Sequence, residues 1–323
     1  MMTTTTQRKQ RTRPSWMTRF WAVVKYEMLW NIRKKKVIGV LIVAFVFATV
    51  GLALPVILSN ASGETLSPNP DYAVTSGAGA LGFFLFALVI AMNSISGEFE
   101  SGTIIPLLTK PVSRTTVFLG KLFAAFILLL VTYTILFVYT AIGGTIVYGP
   151  QSNLHLVPLT LLGNILSTFV WMAIVLAIGS LSKSSLIAAL GAFGVFIALF
   201  ISAPIVSVFT GQAGVLAYVP GSGATGNLNV SQGNQITINA SSVSTGTDSI
   251  AANLINYILD PSTNVTFSKL GSFTPGQQLP EMIPVYTEPL SLILLRSIIV
   301  ATAYTVAFIV IAWFAFKRAQ VLE

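Results

Sequence analysis

The sequence contains no cysteine and a single histidine, His155. Without thiols there are no disulfides and no thiolate metal sites, and one imidazole is too few for a histidine-built metal site. Charged residues are also scarce, at 9% of 323 residues, against about 25% in soluble globular domains. Hydrophobic residues make up 54% of the chain instead. This balance excludes an ordinary soluble domain and indicates a membrane protein.

Familiar catalytic motifs are absent as well. The sequence has no G-x-x-x-x-G-K-[ST] phosphate loop, no H-E-x-x-H and no G-x-S-x-G. Its long apolar runs hold no acidic residue, which weighs against a carrier driven by protons or sodium. We therefore expect that the chain is not an enzyme by itself and that it binds no metal or cofactor of its own.

Six apolar stretches are long enough to cross a membrane, since a spanning helix needs about 20 residues. They are roughly Val37–Leu58, Gly77–Ile95, Leu122–Val147, Leu156–Leu181, Leu186–Phe209 and Leu290–Phe316. The sequence thus predicts an all-α polytopic membrane protein. Residues 37–209 hold the first five transmembrane helices, and residues 290–323 hold the sixth and a cytoplasmic C-terminus.

The positions of Lys and Arg predict the orientation, because these residues accumulate in cytoplasmic loops. With the N-terminus inside, only Lys269 and Arg296 of the 18 Lys and Arg residues fall away from the cytoplasmic side. The prediction is therefore N-in and C-in. The net charge of +8 then reflects topology and lipid contact rather than nucleic-acid binding.

Residues 1–36 read as a basic cytoplasmic tail followed by a helix. Within Trp16–Lys36, apolar residues recur at helical spacing among cations. They are Met17, Phe20, Trp21, Val24, Met28 and Ile32. This pattern favours a helix lying in the inner membrane interface, and a plain cytoplasmic helix is the alternative.

Residues 210–289 are the longest segment outside the predicted spans, and the topology places them outside the cell. Alternating residues in "NLNV" and "QITINA", on either side of "SQGN", predict a β-hairpin. The stretch "TDSIAANLINYIL" predicts a helix capped by Thr247 or Asp248. We expect a small mixed external domain before the last helix.

Four N-x-S/T sequons lie on the external side of this topology and are candidates for glycosylation. They are Asn60, Asn229, Asn239 and Asn264. The alternative is chance, because these segments are rich in Asn, Ser and Thr. Glycosylation at these sites would suit the surface of an archaeal cell. We therefore expect the chain in the cell membrane of a prokaryote, and an archaeon is one candidate for the organism that it comes from.

Arg296 lies just inside the last span. An ionisable residue at membrane depth is a candidate charge on a transport pathway. The alternative is an arginine at the outer interface that reaches the headgroups or pairs with Glu288.

The segment "GEFESGTIIPLLTKPVSRTTVFLGK", Gly97–Lys121, lies between the second and third spans, on the cytoplasmic side of the predicted topology. Charged residues flank a run of apolar side chains, Ile104, Ile105, Leu107 and Leu108. Apolar residues on a water-facing loop suggest a docking surface with a polar rim. The alternative is an amphipathic turn resting on lipid headgroups.

This segment resembles the signature of type-2 ABC exporter permeases. The matching residues are Gly97-Glu98, Gly102-Thr103, Leu107-Leu108, Pro111-Val112-Ser113-Arg114 and Gly120-Lys121. In that family the segment is a coupling helix that docks into a separate ATPase subunit, which corresponds here to about residues 98–114. The resemblance implies ATPase-coupling roles for Glu98, Gly102, Ile104, Ile105, Leu107, Leu108, Pro111, Arg114 and Lys121. The external segment is longer and more polar than the short re-entrant helices typical of the family.

The resemblance implies the transmembrane subunit of an ATP-binding cassette transporter, an exporter. ATP and Mg²⁺ would bind the partner, an ATP-binding subunit present in two copies. A second permease chain, identical or related, would complete the pathway in membrane lipid, without nucleic acid. Two other hypotheses stay open: a membrane-anchored assembly or surface protein whose external domain carries the function, and a passive channel.

Overall fold

In the computed structural model the described residues are 15–33, 35–63, 65–66, 68–76, 79–102, 112–210, 217–220, 225–232, 235–244, 246–271 and 282–318. The elements within these ranges are α1 (Trp16–Arg33), α2 (Lys36–Ser62), α3 (Tyr72–Thr75), α4 (Gly79–Ala91), α5 (Ser96–Glu100), α6 (Arg114–Tyr148), a 3-10 turn (Leu154–Leu156), α7 (Val157–Ser182), α8 (Ser185–Thr210), β1 (Thr225–Gln232), β2 (Gln235–Ser244), α9 (Ile250–Leu259), β3 (Asn264–Leu270), β4 (Met282–Pro289) and α10 (Leu290–Arg318).

Six segments of the described chain are long and apolar enough to cross a membrane, which confirms the predicted count. They are Ile38–Ser62, Leu81–Glu100, Arg114–Tyr148, Leu154–Ser182, Ser185–Val206 and Leu290–Arg318. The predicted start of the third span at Leu122 was wrong, because α6 begins at Arg114. Lys121 therefore lies about two helical turns inside α6 rather than at its start.

The two ends of the bundle differ in chemistry. At one end the start of α6 meets the end of α10, where Arg114 Nη1 donates to the Lys317 carbonyl oxygen at 2.9 Å. We call this the charged end, and the opposite end, which carries β1–β4, the sheet end. The sequence prediction assigns the charged end to the cytoplasm, and N-in, C-in stays a prediction.

Helix α7 lies at the centre of the bundle. Its Trp171 is buried and meets Phe84 edge to face at 5.6 Å, and Phe84 stacks on Phe196 of α8 at 4.6 Å. By contrast, α2 and α8 keep apolar side chains exposed along one face, among them Ile42 and Leu190. Such faces are stable in lipid, because lipid tails are as apolar as the side chains.

The region between α8 and α10 combines a sheet with a helix. The predicted hairpin is confirmed: β1 pairs antiparallel with β2, with Gln232 opposite Gln235. The sequence reasoning did not predict β3 and β4, which extend the sheet in the order β2-β1-β3-β4. The predicted cap of α9 was wrong, because its N-cap residue is Ser249.

Helix α9 packs against α7 beside the apolar bundle. A Cβ on Gly163 would lie 2.8 Å from the Ala251 Cα, so only glycine permits this approach. Ser167 Oγ donates to the Thr247 carbonyl oxygen at 2.5 Å. Ser167 is about 15 Å along α7 from Val157. The start of α9 therefore lies alongside the middle of α7, away from the sheet-end terminus of that helix.

Candidate functional site

Helix α5 forms where the second span is interrupted. The helix α4 ends at Ala91, and a turn over residues 92–95 leads into α5. The turn is closed by Ser96 Oγ, which donates to the Met92 carbonyl oxygen. A Cβ on Gly97 would lie 3.3 Å from Asn93 Cβ, so the glycine keeps α5 close to the turn. Gly102 follows α5 with φ of +67°, a conformation that glycine adopts readily.

Helix α6 begins with a cap that the motif itself supplies. Ser113 is the N-cap residue, and its Oγ accepts a hydrogen bond from the Thr116 amide at 3.1 Å. Such a bond satisfies a backbone donor that the helix leaves free. Trp16 Nε1 of α1 donates to Thr116 Oγ1 at 3.0 Å, which joins α1 to the same turn.

Three charged side chains meet at the charged end. Lys121 Nζ donates to Glu27 Oε1 and to Glu98 Oε1, each at 2.5 Å. The side chains are 3%, 8% and 17% exposed for Lys121, Glu27 and Glu98. Charges in an apolar bundle are stable only when paired. We call Glu27, Glu98 and Lys121 the ion triad, and it links α1, α5 and α6.

The close packing of α1 on α6 brings Glu27 to this position. A Cβ on Gly120 would lie 2.6 Å from Val23 Cγ1, so the glycine before Lys121 allows the two helices to touch. Val24 and Glu27 are the buried residues of α1. The predicted apolar stripe of α1 is divided, because Val24 packs inward whereas Met17 and Ile32 are more than half exposed.

Glu100 joins α5 to the first turn of α8. Its Oε1 accepts from the Ser185 amide at 2.7 Å and from Ser184 Oγ at 3.0 Å. Its Oε2 accepts from Ser185 Oγ at 2.6 Å. A carboxylate at a helix N-terminus satisfies free amides and meets the positive end of the helix dipole. We call Glu100, Ser184 and Ser185 the serine clamp.

Phe99, between the two acids, connects α5 to the last helix. Its ring lies 6.2 Å from the ring of Phe316 in α10, and Lys183 Nζ lies 5.9 Å from its centroid. The five residues of α5 thus contact α6, α8 and α10, and they reach α1 through Lys121. A displacement of α5 would be passed to four other helices.

The structure places the sequence-predicted coupling residues unequally. Glu98 and Lys121 meet in the ion triad, Gly102 follows α5, and Arg114 begins α6. Ile104, Ile105, Leu107, Leu108 and Pro111 lie outside the described residues. Sequence reasoning missed Glu27, although it is the single acid of α1 and lies three residues after the buried Val24.

The remaining candidates lie toward the sheet end. Arg296 Nη2 bonds Glu288 Oε2 at 2.8 Å, as the alternative to a pathway charge predicted. Asn60 is exposed in the last turn of α2, and Asn264 is exposed at the start of β3. The other two sequons, at Asn229 and Asn239, lie in β1 and β2. Glycosylation stays a prediction for all four.

A comparison with protein-family models identifies the chain. The model described as ABC-2 family transporter protein matches residues 21–321. The chain belongs to the ABC-2 transporter family. The match runs from α1 into the last residues of the chain. The region that matches this ABC-2 permease family therefore includes the ion triad, the serine clamp and the sheet. A search of curated proteins finds no match to the chain. Permease subunits of the family are in general not catalytic themselves.

Proposed function

We propose that this permease is the membrane subunit of an ATP-driven exporter and that segment 98–114 docks a separate ATP-binding subunit. The observation that carries the proposal is the double attachment of α5, where the segment begins. Glu98 joins α5 to α6 and α1 through Lys121, and Glu100 joins it to α8. A force on the segment would therefore move several spans together.

The apolar residues of the segment supply the docking energy in this proposal. Burying a large apolar side chain in a protein groove stabilises a complex by about 1.5–3 kcal/mol. A few such anchors dominate a small interface. Leu107 and Leu108, with Ile104 and Ile105, are the anchors, whereas Glu98 and Arg114 hold the segment in position against the spans.

ATP and Mg²⁺ would act on the partner, where closure of two ATP-binding subunits pushes on the docked segments. One chain with six spans supplies half a pathway, so a second copy or a related permease completes it. The ion triad transmits the push because breaking a buried ion pair costs about 3–5 kcal/mol. Export follows from the resemblance to type-2 exporter permeases, and the proposed location is the cell membrane of a prokaryote.

The test is co-purification with the cognate ATP-binding subunit. The double variant Leu107→Asp/Leu108→Asp should lose the subunit, because two anchors become charged, while Leu107→Met/Leu108→Met should retain it. Equal amounts of both variants in the membrane show that insertion is intact. Full binding and full ATP hydrolysis in the aspartate variant would overturn docking at this segment. A wild-type chain that never retains an ATP-binding subunit would favour the surface-protein or channel hypothesis.

A further inference from the structure

A small cavity lies between α2, α3, α6 and α7, on the sheet-end half of the bundle. The cavity volume open to the centre of a water-sized sphere is ≈ 30 Å³. One water molecule needs roughly 10–15 Å³ of this volume. Six lining residues are Gly51, Tyr72, Ser76, Tyr133, Thr140 and Asn164. Among the described residues that line it, none is charged.

Asn164 is the residue that distinguishes this cavity from an apolar void. Its side chain is fully buried, about 10 Å along α7 from Val157. Its Nδ2 donates to the Thr160 carbonyl oxygen at 2.8 Å. Its Oδ1 is buried with no hydrogen-bond partner within the described part of the chain. A buried carbonyl oxygen without a donor is unfavourable, and ordered water is the usual remedy.

Two of the other polar residues that line the cavity are already satisfied by the protein. Tyr133 Oη bonds Thr168 Oγ1 at 2.6 Å. Thr140 Oγ1 donates to the Phe137 carbonyl oxygen at 3.1 Å. Neither hydroxyl is therefore available to Asn164 Oδ1 without breaking an existing bond.

Tyr72 of α3 also lines the cavity and carries a hydroxyl. A Cβ built on Gly51 would lie 3.1 Å from its Oη, so the glycine on α2 lets the tyrosine hydroxyl approach that helix closely. Burial raises the pKa of Tyr72 to about 12, and a tyrosine hydroxyl is protonated at neutral pH even at its ordinary pKa of about 10. The backbone of α3 is fixed beside the cavity, because the Ala73 amide donates to Gln151 Oε1 and Thr160 Oγ1 donates to the Val74 carbonyl oxygen, each at 2.9 Å.

We propose that this cavity binds one water molecule, which donates to Asn164 Oδ1 and bonds the Tyr72 hydroxyl. A neutral ligand of this size fits because the described wall is uncharged and carries hydrogen-bonding groups. The water joins α3, which follows the first span, to the central helix α7. The site is independent of the charged end and of the proposed docking of an ATP-binding subunit.

X-ray radiolytic footprinting of the full-length permease in lipid nanodiscs tests the proposal. Radicals formed from a bound water oxidise the side chains beside it, even where bulk water does not reach. Phe137, which lines the cavity, and Phe84, which does not, are both buried. Phe137 should be oxidised several-fold faster than Phe84. Equal rates for the two phenylalanines would overturn the proposal.

The rate of Phe137 oxidation in a test variant and in a matched control variant gives a second test. Asn164→Leu removes the proposed acceptor and should lower oxidation of Phe137 to the rate of Phe84. Thr132→Val serves as control, because Thr132 is buried on α6 and its Oγ1 donates within its own helix to Leu128. It should leave the rate unchanged. If Asn164→Leu does not fold, Tyr72→Phe replaces it, and unchanged Phe137 oxidation in whichever variant folds contradicts the assignment.

Discussion

Removing the cation of the ion triad should destabilise the permease more than removing all three charges. Lys121→Met leaves Glu27 and Glu98 facing each other with no cation between them, in a site where the lysine side chain is 3% exposed. Breaking a buried ion pair from one side costs about 3–5 kcal/mol, whereas replacing all partners by apolar residues of similar volume is often neutral. We therefore expect a large effect in the single variant and a small effect in Lys121→Met/Glu27→Met/Glu98→Met.

The size of the effect follows from the length of the chain. Unfolding entropy is about 2 cal/mol/K per residue, which gives roughly 0.7 kcal/mol/K for a chain of 323 residues. A loss of 3–5 kcal/mol then corresponds to a fall of about 4–7 °C in the melting temperature. The assay is thermal unfolding of each purified variant in lipid nanodiscs.

The triple variant separates the effect of the ion triad on function from its effect on stability. It should melt within about 2 °C of the wild type, because no uncompensated charge remains. Its ATP hydrolysis with the bound ATP-binding subunit should nevertheless fall, since α5 has lost its bond to Lys121 of α6 and, through it, the connection to α1. A Lys121→Met variant that melts like the wild type would refute the reasoning, because the carboxylates would then not depend on the lysine.

Three further predictions address packing, coupling and topology. Gly163→Ala should destabilise the chain by about 1–3 kcal/mol in thermal unfolding, because the added Cβ would clash with α9. The control Gly194→Ala should not, because open space surrounds Gly194. Equal melting temperatures of the two variants would contradict the packing of α7 on α9. Glu100→Gln should retain the ATP-binding subunit in a pull-down but lower ATP hydrolysis, because the serine clamp loses its charge; unchanged hydrolysis counts against the clamp. Lys183→Cys should react with impermeant thiol reagents only after permeabilisation and Asn229→Cys in intact cells, and the reverse pattern would overturn the orientation.

The spans were predictable because their length is set by the bilayer and their composition by lipid. The last span shows this most clearly, since both the prediction and the structure begin it at Leu290. The start of α6 was not predictable in the same way. Lys121 looked like the boundary of an apolar run, but its charge is compensated by Glu27, 94 residues away in sequence. A local pattern carries no sign of such a partner.

The sheet also contains one part that the local sequence predicts and one part that depends on long-range contacts. The hairpin β1–β2 is local, and its alternation and central turn stand in one short stretch. The strand β3 forms only where it lies beside β1 on one edge and β4 on the other. The serine clamp is also long-range, because Glu100 and Ser185 are 85 residues apart. Distance along the chain therefore separates what the sequence predicts from what the folded structure adds.

Site-directed cross-linking from position 107 tests the central claim most directly. The chain has no cysteine, so Leu107→Cys carries the only thiol to which a photo-activated cross-linker can attach. Phe200→Cys is the control, on an exposed position of α8 about 22 Å along that helix from Ser185 of the serine clamp. We expect cross-links to the ATP-binding subunit from position 107 and none from position 200. Co-purification of that subunit without any cross-link from position 107 would contradict docking at this segment.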